Sequence, residues 1–221
     1  MLATMRQTAE LVGFFQKHGQ QATYSKNDYI IKPGEPPSGI FYIAEGLVKA
    51  YDITRYGEEN LLIIRKEHEL FPLIWAMTGQ ERQVIYRAIT PTVTFSVPRP
   101  EFIQFLHRNP GVLTPLMDMA IEMYRLHSER ILNLEYRSVR ERVISFLLTM
   151  ANRFGVKTDD GVLIAVPLRH QDIASSINAT RETTSRELNA MQRDGLVGVS
   201  MSRLLLKNVP ALRAYLSAPA K

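Results

Sequence analysis

Cysteine is absent from all 221 residues. That removes disulfides, thiolate metal sites, iron–sulfur clusters and cysteine nucleophiles in one step. No uninterrupted apolar run approaches the ~18 residues that a membrane span needs. The opening MLATMRQTAELVGFF has neither a long apolar core nor a small-residue cleavage site, so no secretory signal is expected. A cytoplasmic protein with no membrane partner is the expectation. The five histidines, at 18, 68, 107, 127 and 170, show no ligand spacing, and no metal site or resident cofactor is expected. Catalytic signatures are missing too: there is no Ser/His/Asp motif and no phosphate loop. The paired acids Glu58-Glu59 and Asp159-Asp160 sit in turn-like contexts and read as solvated surface. No catalytic residue is expected, and the chain is not expected to be an enzyme.

What is present is ordinary globular material, 45% hydrophobic and 22% charged, with an uneven charge. Residues 137–221 carry 13 Lys/Arg against 7 Asp/Glu, a net of +6, whereas residues 1–136 carry 14 against 15. A basic C-terminal part beside a neutral N-terminal part suggests that one end meets a polyanion, although a solvated basic surface would look the same.

Residues 5–20 read as a short amphipathic helix. From 23 to about 98 the chain reads as short strands, as in DYIIKPGEPPSGIFYIAEGLVKAYDI. Its turn signals, Pro33-Gly34, Ser38-Gly39, Glu45-Gly46 and Tyr56-Gly57, recur often enough for a small barrel or sandwich. At Asn109-Pro110 a helix start is expected, with Thr114-Pro115 a second such signal. Leu113, Met117, Ala120, Tyr124, His127, Ile131 and Leu134 then fall at alternating steps of four and three, the spacing of a coiled-coil seam. Leu116, Met119, Met123 and Leu126 lie off it. Either one amphipathic helix packs on its own domain, or the double apolar surface pairs two chains. From Pro115 to Tyr136 the helix would span roughly 33 Å, and that length favours a homodimer through residues 113–136. A further helix follows Ser138, with Gly155 as its stop. Two short helices flank Asn178-Ala179, and two strand-like runs surround Ser200-Met201-Ser202-Arg203. Helix, helix, hairpin is the layout of a winged helix-turn-helix.

In the second short helix Thr180 is a good N-cap. Thr184, Leu188 and Met191 would point inward, leaving Arg181, Glu182, Ser185 and Arg186 on the outward N-terminal part. A recognition helix presents that end to base edges. Arg pairs bidentately with guanine and Glu accepts from cytosine N4, each good pair discriminating by about 1–3 kcal/mol. An ordinary charged helix with a Glu182–Arg186 pair is the alternative; the two-helix-plus-hairpin layout and the basic charge favour reading DNA.

HQDIASSINATRETTSRELNAMQRDGLV closely resembles the helix-turn-helix of the cyclic-AMP receptor/fumarate-nitrate regulator superfamily of bacterial transcription regulators. IIKPGEPPSGIFYIAEGLVKAY is similar to that family's β-roll. SERILNLEYRSVRERVISFLLTMA looks like its dimer helix running into the DNA-binding domain. The resemblance covers nearly the whole chain. It implies an α+β protein in three parts: a cyclic-nucleotide-binding-like β-roll over 1–109, a dimerisation helix and hinge over 110–137, and a winged helix-turn-helix over 138–221. It implies a homodimeric regulator on double-stranded DNA with inverted-repeat half-sites, and RNA polymerase as a partner if it activates. Arg181, Glu182 and Arg186 would read bases, and Thr180, Arg169, His170 and Gln171 would lie near phosphates.

By the same resemblance, Arg82 falls on the Arg that pairs with a cyclic phosphate, and Ser128 on a Ser of the dimer helix. The rest departs. Phe71-Pro72 stands where Gly-Glu is expected, Gln83 where Ser or Thr is usual, His127 where a Thr would be, and KEHEL lacks the family's Gly. Pro72 has neither an N–H nor a carboxylate, so cyclic AMP bound in the usual manner is not expected. Arg82, Gln83, His127 and Ser128, with Phe71, Pro72, Trp75 and Tyr124, are the candidate contacts for another small-molecule effector. Alternatively Arg82 pairs with Glu81 or Glu69 and side chains fill a roll that binds nothing.

Overall fold

The computed structural model describes residues 2–217, with side chains from Thr8 onward. It divides into two compact units, 1–126 and 127–221. In the first, α1 (Leu2–His18) precedes β1 (Gln20–Tyr24), β2 (Tyr29–Ile31), β3 (Ile40–Glu45), β4 (Val48–Ile53), β5 (Glu59–Arg65) and β6 (Leu70–Phe71). Next come α2 (Leu73–Thr78), β7 (Ile85–Ala88), β8 (Thr92–Val97), α3 (Arg99–Arg108) and a 3₁₀ turn at Pro110–Val112. Helix α4 (Leu113–Tyr136) begins in this unit and continues into the second. The second adds α5 (Val139–Phe154), β9 (Gly155–Thr158), β10 (Gly161–Ile164), α6 (His170–Ser176), α7 (Arg181–Arg193), β11 (Val197–Ser200), β12 (Arg203–Leu206) and α8 (Val209–Ser217).

The first unit is a roll of two antiparallel sheets, ordered β1-β8-β3-β6 and β2-β7-β4-β5. The chain passes from one sheet to the other at Gly46, whose φ is +92°. A Cβ there would stand 2.3 Å from Pro91 O, so only glycine permits the crossing. Strand β3 is buried on both faces, which is why IFYI reads as a continuous apolar run. Ile40 and Tyr42 pack outward with Leu11, Phe15, Phe102 and Leu106 of the flanking helices. Phe41 and Ile43 point between the sheets, against Val48, Ala50, Phe71 and Tyr86.

The strand reading of 23–98 is recovered, and two helices within the first 109 residues were missing from it. Helix α3 occupies PEFIQFLH, buried through Phe102 and Leu106. Asn109 does both: it ends α3, its N–H and its Nδ2 donating to Phe105 O at 3.0 and 2.9 Å, and it starts the 3₁₀ turn, with Pro110 in the first position and Asn109 O accepting from Val112 N at 3.0 Å. Pro115 lies in the first turn of α4, where the N–H it lacks would have no partner. Leu116 is 4% exposed and Met119 half-buried on the core of the first unit. Part of the off-seam apolar surface therefore faces the helix's own domain. Met117, Ile121, Tyr124 and Ile131 stand 57%, 58%, 76% and 56% exposed along another side. Ile121, not Ala120, is the larger exposed apolar side chain at that level.

In the second unit Ser138 caps α5, and it and Glu141 bond reciprocally as a capping box. Val143, Ile144, Leu147, Met150 and Phe154 form its buried stripe. Gly155 ends the helix with φ −77° and ψ 133°, not in the left-handed region expected of a stop glycine. Close packing requires it instead, since a Cβ would stand 2.1 Å from Ala151 O. The sheet order is β11-β12-β10-β9. Met201 and Ser202, at φ 48° and 58°, make the two-residue turn whose backbone twist suits a tight hairpin.

Candidate functional site

Helix α7 is fixed at its start by Thr180, whose Oγ1 accepts from Thr183 N at 3.1 Å. Thr184, Leu188 and Met191 are buried at 0%, 1% and 0% exposure. Burying that side turns Arg181, Glu182 and Arg186 to solvent. Two guanidiniums and a carboxylate thus stand exposed at the positive end of a helix. The turn ahead of α7 is held from a third helix. Arg142 of α5 donates Nη1 to Ile177 O at 2.7 Å and to Asn178 O at 3.3 Å. Arg140 of α5 ties down the other end of α7, bonding Asp194 at 2.6 Å and lying 3.7 Å from Glu187. Neither arginine was singled out in the sequence. VRERV shows them one turn of charge on a helix, and only their placement shows what they brace.

Helix α6 places its predicted phosphate contacts differently. The Arg169 guanidinium closes on Asp172, Nε to Oδ2 at 3.0 Å and Nη2 to Oδ1 at 2.9 Å, while Asp172 also accepts the Arg169 backbone N–H. That fork is engaged within its own helix start. Gln171 is exposed. His170 Nδ1 meets Ser185 Oγ at 2.8 Å, so Ser185, expected to face outward, is half-buried against α6. The β11–β12 hairpin projects Met201 and Val199, 85% and 61% exposed, a feature the sequence located without assigning residues.

The effector candidates do not form one constellation. Arg82 and Gln83 are exposed and border an open cleft of about 240 Å³ with Lys32, Glu35, Glu81 and Val84. Two cations and two carboxylates line it, and Lys32 and Glu35 lie 3.5 Å apart. Arg82 makes no ion pair among the described residues; Glu69 pairs instead with buried Arg65 at 3.5 Å. Phe71 is elsewhere. At 0% exposure it stacks on Phe41 at 5.2 Å and on Tyr86 at 4.6 Å, between the sheets. It fills the interior of the roll and does not line the Arg82 cleft. Trp75 packs half-buried on the opposite core, with Leu11 and Phe15, because α2 turns it away from the roll interior. Pro72 is buried at the start of α2, where its O accepts from Ala76 N at 2.9 Å. Tyr124 stands outward on α4; His127 and Ser128 lie further along it, in the second unit. Burial pushes the Tyr86 phenol up from its ordinary range, and the charges of Arg65 and Arg82 oppose that.

Residues 141–215 match the model of the Crp-like helix-turn-helix domain, and residues 21–109 that of the cyclic nucleotide-binding domain. A global nitrogen regulator of Synechococcus elongatus is 30% identical over 197 residues, covering 88% of each chain. The cAMP-activated global transcriptional regulator CRP of Salmonella typhimurium is 25% identical over 193 residues, 86% of this chain and 91% of that one. Among solved structures, FixK2 from Bradyrhizobium japonicum superposes with a TM-score of 0.77 at 24% identity, over 91% of this chain and 99% of that one. No helix among the described residues is long and apolar enough to cross a membrane.

Proposed function

The chain belongs to the CRP/FNR family of DNA-binding transcription regulators, and from that premise we propose a homodimer that reads an inverted repeat and whose roll does not take a cyclic nucleotide in the usual way. The carrying observation is the α4 surface. Met117, Ile121, Tyr124 and Ile131 are more than half exposed at steps of four, three and seven, a stripe that a second copy of the helix would cover. Two-fold pairing through it would set half-sites about one helical turn apart, roughly 34 Å centre to centre. In each half-site Arg181, Glu182 and Arg186 read bases. Thr180, His170 and Gln171 lie beside the backbone, with Arg169 spent on Asp172. The dimer works in the cytoplasm, with RNA polymerase a partner where it activates.

The roll's nucleotide site is degenerate on this reading. Phe71 occupies the interior, and Pro72 supplies no side-chain carboxylate for a ribose hydroxyl, a loss on the scale of a charged hydrogen bond, about 1.5–3 kcal/mol. A second reading, in which Arg82 holds a different small anion, draws support from its making no ion pair among the described residues. Two measurements test the proposal. Sedimentation should give a dimer that shifts a selected inverted repeat with steep salt dependence; a monomer, or equal binding to a single half-site, contradicts it. Thermal shift against cyclic AMP should show no stabilisation, whereas a true ligand at 100 times its Kd adds about 2.7 kcal/mol.

A further inference from the structure

The contact between His170 and Ser185 joins the first residue of α6 to the fifth of α7. Ser185 lies one turn beyond Arg181 and, although half-buried against α6, keeps part of its surface on the side that Arg181 presents. Its Oγ has no hydrogen-bond partner among the described residues besides His170 Nδ1, at 2.8 Å. His170 Nε2 likewise has none.

A neutral imidazole has one N–H donor and one acceptor nitrogen, while a serine hydroxyl has one proton and two acceptor sites. The pair therefore has two arrangements. If Nδ1 carries the proton, it donates to Ser185, whose own O–H is then free for the DNA, and Nε2 is left an acceptor. If Nε2 carries the proton, Ser185 donates to Nδ1 and its oxygen meets the DNA as an acceptor only. In helix-turn-helix proteins the first helix crosses the DNA backbone. Phosphate oxygens accept and never donate, so an Nε2 beside the backbone is favoured in the second arrangement.

We propose that His170 sets the hydrogen-bonding polarity of Ser185, so that on DNA this serine accepts and selects a base carrying an amino group. In the major groove the amino groups are adenine N6 and cytosine N4; guanine and thymine present O6, N7 or O4 acceptors there. An unconstrained serine would rotate its hydroxyl and satisfy either kind. His170 is thus a positioning residue for specificity, acting through Ser185, and the inference rests on reading α7 as the recognition helix.

The test uses the full-length protein at pH 8 and an operator selected by the wild type from a randomised DNA pool. Each base pair is then varied in turn and affinity measured by fluorescence anisotropy. Ser185→Ala should flatten the preference at one pair, where wild type favours adenine or cytosine on the contacted strand by at least about fivefold. His170→Gln, whose amide reaches toward the Nε2 position but not to Ser185, should flatten that same pair, narrowing its spread of affinities relative to the spread at every other pair. His170→Ala should flatten it and also weaken all sequences alike. The proposal fails if the wild type prefers guanine or thymine there, or if Ser185→Ala changes no pair. It fails equally if His170→Gln leaves the preference intact, or lowers every affinity without narrowing the spread, as a merely structural histidine would. Should the wild type select no inverted repeat at all, the reading of α7 falls first and takes the proposal with it.

Discussion

Replacing Phe71 by alanine distinguishes a filled roll from an open one. The ring is 0% exposed and stacked near-parallel on two others, at interplanar angles of 11° and 19°. A Phe→Ala change in a closed core costs about 3–5 kcal/mol. Because Phe41 and Tyr86 each lose a stacked partner, the upper half of that range is expected. For a unit of 126 residues this is a fall in Tm of about 10–20 °C. Trp75 is the only tryptophan and packs on a core of the same unit. Its fluorescence during urea unfolding therefore follows that unit alone. A loss below about 1 kcal/mol would refute the reasoning, since a ring bordering an open pocket loses little on truncation. A small apolar guest such as benzene should restore part of the loss, as dry engineered cavities bind such molecules.

Arg181→Ala should cost about 1–3 kcal/mol in operator affinity and relax one G·C position, read by competition with base-substituted fragments. Ile121→Asp places a carboxylate in the proposed dimer seam and should yield a monomer in sedimentation velocity, with the urea midpoint of Trp75 little changed. Arg142→Met removes charged hydrogen bonds to the carbonyls of Ile177 and Asn178; a loss of about 1.5–3 kcal/mol should appear in thermal unfolding of the second unit. Hydrogen bonds from Ser138 hold the Glu141 carboxyl below its ordinary value. That stabilisation is present above the unfolded-state value near pH 4.3 and is lost as pH falls through the lower folded-state value. Wild type should therefore exceed Glu141→Gln in stability at pH 7, the gap closing as pH falls through the lowered folded-state value in thermal unfolding of the second unit.

The helix-turn-helix part was legible because its signals are local. Thr180, Thr184, Leu188 and Met191 lie within one helix, where a 3.6-residue period fixes cap, core and exposed face together. The strands of the roll were legible for a similar reason, through glycine and proline punctuation. Helix α3 was not: PEFIQFLH buries only Phe102 and Leu106, too short a stripe to outweigh two prolines. Ser185 was assigned to the outward face by helical spacing, which cannot know that His170 on another helix approaches it. The Arg169–Asp172 pair is an i,i+3 relation visible in the string, yet a guanidinium at a helix start reads equally well as a phosphate contact. The effector residues were grouped because a motif grouped them. Tertiary structure separates Phe71, Trp75 and Arg82 into two cores and a surface cleft.

That separation has an energetic consequence for any ligand of the roll. A molecule that needs the space between Phe41 and Tyr86 must first displace Phe71, and the cost is on the order of the 3–5 kcal/mol that removing the ring from a closed core costs. At 1.4 kcal/mol per factor of ten, such a ligand starts about 10²–10⁴-fold weaker than one entering a preformed site. Cyclic AMP would face that penalty without the carboxylate that Pro72 fails to provide. A molecule held at the Arg82 cleft would not, because its walls, Lys32, Glu35, Glu81 and Gln83, are already at the surface. If the roll senses anything, the interior is therefore the costly place to do it and the rim the accessible one. A ligand found by screening should lose affinity on Arg82→Ala and be indifferent to Phe71→Leu.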